Sequence, residues 1–581
     1  MAAEAKESGG QRGRRIYQVL FLVSCSFLLY ILLQTFMMYS RHTLQRFALA
    51  VLTPHLFHAQ AQSTYGNNSL RVTKDSEVVA SAFPEVEGVE LIAPAFTNPE
   101  SLPAGWDNGT SGPTDLYELD YFIRSIANRN DWITYKSSDF LSEEGRAIPY
   151  LFLSSSPGYT GNNTKLKVYV QAAIHGNEPA ADQGALALLG KLDANQTYAA
   201  SLLEKMDILI LPRYNVDGVS YFQRELAVNL DPNRDHIKLD RKQTREIKQV
   251  FSDYNPHLAI DLHEFNAPTV YGGDYQHAND ALIAGGIHPN IHASIRSYLN
   301  DVLIPMIGDR LEGYGLRWGP YVTGSSNTTS GSPIVWDGPA TQPRSGRNAM
   351  GLTQTITFLF EMRGIRLADQ HFQRRVATAL IKLEAILEYA RDNTEEVRSL
   401  VEDARADFIS SSEEIVVPDS PRGNLTQQPF NFVDRRNGSV VELVVDFYET
   451  RPAVVNLTRS RPEAYLIPRP WYDIAERLEI LGLEVQTLDY EYRGTVEALN
   501  ITSSELDDSI YEGHVLNTVT TEPLTKEVHL PPGSFIVSTR QQNAALAFIA
   551  LEPETIDSYV SFNFIALAAG DEYPIYRILA E

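Results

Sequence analysis

The sequence predicts an α/β protein. A mixed, mostly parallel central sheet carries helices on both faces, and a smaller strand-rich domain follows it. Two observations predict this. Short apolar runs at Val168–Ile174, Met206–Leu211, His257–Leu262 and Thr355–Phe360 alternate with helical patterns, the signature of strands covered by helices. Beyond Phe430 the pattern changes to short strands, such as Val440–Phe447 and Ser534–Thr539, with less helix between them. A hydrophobic content of 43% over 581 residues is enough to give both parts a core.

The elements follow in order. Ile16–Tyr39 is a nearly continuous apolar run preceded by Arg12, Arg14 and Arg15, long enough to span a bilayer with a cytoplasmic N-terminus. A second apolar run, Phe47–Phe57, follows Arg41 and Arg46 and ends at Ala59-Gln60-Ala61, a cleavage-like signal. Two readings stand for residues 1–62: the signal anchor of a single-pass type II membrane protein, or a leader whose signal peptide starts at Met37 or Met38. Both place the bulk of the chain outside the cell or in the lumen of the secretory pathway. Sequons at Asn67, Asn108, Asn162, Asn195, Asn327, Asn424, Asn437, Asn456 and Asn500 agree. The only cysteine, Cys25, lies in the leader, so the folded part has no internal disulfide. A formal net charge of −24 excludes a nucleic-acid partner, which would need a basic footprint.

Residues 63–115 read as an extension lying over the main domain, 116–409 as that domain, 410–429 as a linker containing Pro418 and Pro421, and 430–581 as an accessory α+β domain. Leu116, Leu119, Phe122, Ile123 and Ile126 share one helical face. Trp132–Lys136 and Ile148–Leu153 read as a hairpin around Ser142-Glu143-Glu144-Gly145-Arg146. Val168–Ile174 is a buried strand, and Pro179 opens the helix after it, a position where its missing N–H costs nothing. Tyr214–Gly218 reads as a turn with Gly218 at positive φ. Lys242–Tyr254, Asn290–Leu311 and Ala368–Phe408 read as helices, and Gly313–Gly351 as a long functional loop.

His175, Glu178, His263 and Glu361 all fall at carboxyl ends of predicted strands, where ligands bind in such sheets. Catalytic zinc takes three protein ligands and leaves a position for water; His175, Glu178 and His263 supply such a set. Glu361 is then the candidate general base. One arginine could stabilise an oxyanion and another could grip a substrate carboxylate.

In these residues the sequence resembles the zinc metallocarboxypeptidases of the carboxypeptidase A type. The match runs through Ser142–Arg146, His175–Glu178, Asn215–Gly218, Asn233-Arg234-Asp235, Asp261-Leu262-His263 and Phe360–Arg363, and covers roughly Leu116 to Ala390. Tyr465–Pro468 and Phe535–Val537 look similar to segments trailing some bacterial and fungal members. The resemblance implies one Zn²⁺ per chain on His175, Glu178 and His263, and Glu361 as base and proton donor. It implies Arg224 on the oxyanion, Asn233 and Arg234 on the substrate's terminal carboxylate, and a peptide with a free C-terminus as the substrate. The family's usual mobile tyrosine is missing between Gly338 and Glu361, and Tyr314 and Tyr321 lie too far upstream to assign. That stretch holds Arg344, Arg347 and Asn348 instead. An arginine such as Arg347 in the side-chain pocket would favour acidic substrates; the other reading of Arg344 and Arg347 is solvated loop charge. Asp217 and Asp261 read as structural, the second orienting a ligand histidine, and Glu264 and His257 as bystanders. Two rivals remain: a zinc amidase or deacylase acting on N-acyl amino acids or cell-wall-type peptides, and a catalytically inactive binding protein.

Overall fold

The structure, a computed structural model, describes residues 70–155, 164–417 and 422–580. The leader, the sequons at Asn67 and Asn162, and Pro418 and Pro421 lie outside the described residues. Among the described residues no helix is long and apolar enough to cross a membrane.

Ten strands organise residues 116–409: β1 (Ile133–Lys136), β2 (Tyr150–Leu153), β3 (Leu166–Ala172), β4 (Met206–Leu211), β5 (Leu258–Asn266), β6 (Tyr275–His277), β7 (Ala281–Gly285), β8 (Trp318–Pro320), β9 (Val335–Asp337) and β10 (Ile356–Ile365). Eight of them form one sheet in the order β1-β2-β4-β3-β5-β10-β7-β8. Its centre, β4-β3-β5-β10, is parallel, while β2 and β7 run antiparallel to β4 and β10. The chain goes from β3 to β4 on one side and comes back to β5 on the other. Strand order therefore reverses at β3, and a crevice opens beyond the carboxyl ends of β3 and β5.

The apolar runs are continuous because both faces of the sheet are covered. Val168 and Val170 of β3 belong to one apolar core with Leu186, Leu189 and Leu380, which lie on the helices Pro179–Ala194 and Phe372–Asp392. Tyr169, pointing the other way, packs on Phe251 of the helix Lys242–Tyr254. Several elements differ from expectation. The run Ala368–Phe408 is two helices, broken at Asn393 (φ −121, ψ 33). Asn290–Leu311 contains a π turn at Leu299–Leu303, one residue ahead of Pro305, which has no N–H to continue the regular ladder. Both β5 and β10 run on past the predicted ends, so His263 and Glu361 lie inside strands.

The C-terminal region is strand-rich, as expected. β11 (Ile415–Val416), β12 (Asn424–Asp434) and β13 (Val440–Glu449) are followed by β14 (Thr458–Arg459), β15 (Ala464–Ile467) and β16 (Gln486–Thr487). β17 (Tyr492–Tyr511), β18 (His514–Leu530), β19 (Phe535–Ser538) and β20 (Tyr576–Ile578) complete it. A second sheet, β6-β12-β13-β9, joins this region to strands from before residue 340. The segment 410–429 thus carries β11 and the start of β12. The apolar core is also continuous, running from Val86 through Leu186 and Phe358 to Phe548 and Ile575. The third sheet, β16-β19-β15-β20-β17-β18, contains a long hairpin of β17 and β18. It turns at Glu512 (φ 47) and Gly513 (φ 87), two consecutive positive φ values as a tight hairpin requires.

The extension is pinned from below the site. Asp75 is buried and takes Arg363 on both oxygens, at 2.6 and 3.0 Å. Burial opposes its charge, but Arg363 and then His371 hold its carboxyl down at about 2.

His277 on β6 marks the joint with β12, where it pairs with Phe432. It stacks on Trp336 with centroids 4.5 Å apart, and neither ring nitrogen has a hydrogen-bond partner among the described residues. Burial, with the Arg363 charge adding, pushes its pKa down to about 3. The folded protein therefore keeps His277 neutral where the unfolded chain, titrating near 6.5, takes up a proton. Its contribution to stability is full above about pH 6.5 and is lost as pH drops toward 3. His277→Phe is expected to flatten this loss, read as a smaller fall in Tm between pH 7.5 and pH 5 than in the unsubstituted protein.

Candidate metal centre and substrate pocket

β3 ends at Ala172. Ala173 then takes a left-handed backbone (φ 50), which swings His175 and Glu178 out over the crevice. The turn fits only because residue 176 is glycine. A Cβ there would meet the Gly218 carbonyl carbon at 2.1 Å and Val219 N at 2.3 Å. Gly218 itself does not have the positive φ expected of it. It lies in the short helix Val216–Tyr221, capped by the Asn215 side chain, and is small because a Cβ would strike that same side chain. Gly176→Ala pits a side chain against backbone that cannot yield. The expected result is a loss of about 2–3 kcal/mol, measured by denaturant unfolding.

His175, Glu178 and His263 are all buried, and one ligand atom from each lies within 4.8 Å of the others. His175 Nδ1 is 2.7 Å from Glu178 Oε1. His263 Nδ1 is 3.1 Å from Glu178 Oε2 and 3.2 Å from His175 Nδ1. Atoms bound tetrahedrally at about 2.1 Å stand roughly 3.4 Å apart, so the three side chains fit a zinc ion with little movement. Two imidazole nitrogens facing each other beside a carboxylate are a donor set for a cation. Burial disfavours charge on Glu178, but His175 and His263 hold its carboxyl well below the usual range.

The outer nitrogens each face a carboxylate. His263 Nε2 is 3.0 Å from Asp261 Oδ2, and Asp261 Oδ1 accepts from Gln171 Nε2 at 2.9 Å. His175 Nε2 is 3.2 Å from Asp231 Oδ1. Carboxylates in this position fix the tautomer and orientation of a ligand histidine. Glu264 takes Arg375 at 2.7 Å, and its backbone N–H donates to Glu178 Oε2 at 3.0 Å. Asp217 accepts from Ser142 Oγ at 2.7 Å and Arg146 Nη1 at 2.6 Å. The Ser142–Arg146 and Asn215–Gly218 motifs are therefore bolted together.

Glu361 on β10 is in register with His263 on β5. Its Oε2 is buried with no partner among the described residues. Burial, reinforced by the Glu178 charge, pushes its carboxyl up to about 7 against the pull of His263. Lys382 Nζ holds its backbone carbonyl at 2.9 Å.

Arg224, Asn233, Arg234 and Arg347 line the same cavity of about 300 Å³ as Glu361 and the two histidines. Arg224 Nη1 reaches to 3.1 Å from His175 Nδ1, and its Nε and Nη2 donate to Asp231 Oδ2 at 3.2 and 2.8 Å. Asn233 Oδ1 accepts from Gly346 N at 2.7 Å. Arg234 Nη1 donates to the Asn233 carbonyl at 2.7 Å, and its guanidinium remains one-third exposed.

The reading of Arg344 and Arg347 as solvated charge fails, since both are buried. Arg344 pairs with Asp557 at 2.5 Å, away from the cavity, whereas Arg347 faces into it.

Three participants were not anticipated. Asp231 ties His175, Arg224 and, through Asn233 N at 2.8 Å, the Asn233 loop; in sequence it is only a cap before Pro232. Tyr321 lines the cavity under Arg347, 5.6 Å from ring centroid to guanidinium, although 40 residues separate it from Glu361. Glu512, at the tip of the β17–β18 hairpin, accepts from Asp231 N at 2.8 Å. No local signal marks the last two.

Residues 121–267 match the family described as zinc carboxypeptidase. The chain is 47% identical over 525 residues to Carboxypeptidase 2 of Trichophyton equinum, spanning 90% of this chain and 97% of that one. It is 46% identical over 525 residues to Carboxypeptidase 2 of Trichophyton rubrum, with the same coverage of 90% and 97%. A solved metallo-carboxypeptidase from Burkholderia cenocepacia is similar at a TM-score of 0.38 and 15% identity, over 49% of this chain and 70% of that one.

Proposed function

The chain belongs to the zinc carboxypeptidase family and is a zinc metallocarboxypeptidase, and from that premise we propose how its own residues carry the reaction. The observation that supports the assignment is the meeting of His175, Glu178, His263, Glu361, Arg224, Asn233 and Arg234 in one cavity at the strand-order reversal.

His175, Glu178 and His263 would hold the zinc. When bound there, zinc supplies Lewis acidity to water and to a carbonyl oxygen. Glu361 takes a proton from the attacking water. A carboxyl whose pKa lies near neutrality can both accept that proton and return it to the leaving amine. Arg224, tethered by Asp231, keeps Nη1 beside the ligand set, 3.1 Å from His175 Nδ1, where it would meet the oxygen on which negative charge develops. Arg234, backed by Asn233, takes the substrate's terminal carboxylate. That contact orients the last peptide bond against Glu361 and restricts cleavage to the chain end.

The likeness to carboxypeptidases over 90% of the chain favours this reading over an amidase or an inactive binding protein. Product analysis of a mixed peptide library, with and without a chelator, tests it. Ladders shortened from the C-terminus that vanish with chelator are expected. Hydrolysis of N-acyl amino acids without trimming of peptides would sink it.

Placement outside the cytoplasm is supported by the sequons. Asn108, Asn195, Asn424, Asn437, Asn456 and Asn500 are exposed and Asn327 is half-buried, so these side chains are open to glycan transfer. Sequencing the mature N-terminus decides between anchor and secreted form: a start at Gln62 removes the anchor.

A further inference from the structure

Arg347 is 7% exposed and lines the substrate cavity. Its Nη2 donates to the Ala340 carbonyl at 2.5 Å, its plane lies over Tyr321, and its Nε is buried without a partner. No carboxylate stands within ion-pair distance of it among the described residues. Four arginines at similar depth are neutralised: Arg213 by Asp182 at 2.6 Å, Arg344 by Asp557 at 2.5 Å, Arg363 by Asp75 at 2.6 Å and Arg375 by Glu264 at 2.7 Å; Arg461, also without a carboxylate, gives all three of its nitrogens to Thr539 and the Phe408 carbonyl, whereas Nε of Arg347 has no partner among the described residues. A buried cation without a counter-charge is costly, and the cost falls when a ligand brings the missing anion.

The other guanidiniums of the cavity are assigned. Arg224 is engaged by Asp231, and Arg234 sits on the Asn233 loop. A peptide's terminal carboxylate therefore does not exhaust the positive charge. We infer that the enzyme prefers peptides ending in Asp or Glu, whose side-chain carboxylate pairs with Arg347. This rests on the carboxypeptidase reading of the site. A C-terminal Lys or Arg would place cation against cation. A C-terminal Leu or Phe would strip water from Arg347 and give nothing back.

The test uses the zinc-loaded full chain and blocked dipeptides that differ only in the last residue: Glu, Asp, Gln, Leu and Lys. A kcat/KM for Glu about 100-fold above Leu is expected, with Lys lowest. In Arg347→Gln the Glu-to-Leu ratio should collapse by about 100-fold, and Arg347→Lys should retain part of it. Thermal melting confirms that the variants are folded. Wild-type preference for Leu or Lys overturns the inference. So does an equal loss for every dipeptide in Arg347→Gln, which would mean that Arg347 grips the terminal carboxylate common to them all. Calorimetric binding of N-acetylglutamate against N-acetylleucine needs no turnover, so it separates failure of this inference from failure of the peptidase reading. Tighter binding of N-acetylglutamate by about tenfold or more is expected, and equal binding overturns the inference.

Discussion

Glu361→Gln is expected to lower kcat by about 10³-fold or more while zinc content stays at the wild-type level. The substitution keeps the size and polarity of the side chain and removes only its ability to take and return a proton. None of the three ligand side chains is hydrogen-bonded to Glu361, whose Oε2 has no partner among the described residues, so the metal set should not notice the change. Burial holds this carboxyl near 7, which places the lost function on the acid limb of the profile. The base form of Glu361 is needed, so kcat/KM in the unsubstituted enzyme should fall with unit slope as pH drops through its pKa. Single-turnover kinetics with metal analysis on the same sample checks both halves, and full turnover in the glutamine variant would sink the mechanism.

Asp231→Asn is the second large effect. One carboxylate there stands 3.2 Å from His175 Nε2, receives Arg224 twice and caps Asn233 N. Asparagine preserves shape but loses the charge that holds Arg224 and orients His175. Zinc affinity should fall about 10–100-fold and kcat/KM by about 10³-fold, because ligand, oxyanion arginine and carboxylate loop all lose their common anchor. Competition with a chromophoric chelator reads the first and initial rates read the second. Unchanged values for both would show that Asp231 is merely a turn cap.

Much of the main sheet was legible in the sequence because its strands are buried on both faces and read as plain apolar runs. His175 and Glu178 were legible for a related reason, since they follow the end of a buried apolar run, whereas His263 and Glu361 are polar residues late in β5 and β10, which continue past them. Their meeting in one cavity then follows from topology. What could not be read depends on long-range contact. Tyr321 reaches the cavity from the position just after the short edge strand β8, and nothing near it in sequence says so. The β17–β18 hairpin escaped notice because every residue from Glu505 to Ile510 is exposed, leaving no alternation to detect. The break at Asn393 was hidden by helical periodicity that continues through it. Arg344 and Arg347 look alike in sequence, three residues apart; only the fold puts Asp557 beside one and open cavity beside the other.

The hairpin tip reaches the site late in synthesis. Glu512 braces Asp231 across a separation of 281 residues. His514, beside it, holds Asp240 at 2.6 Å. A ribosome adding about 5–20 residues per second needs roughly 15–55 s to cover that interval. During that time the growing chain already carries its zinc ligands, and its Asn233 loop is held by Asp231 and Gly346 but lacks the Glu512 contact. A chain that stalls before Tyr511 therefore emerges with every zinc ligand present and this one brace missing.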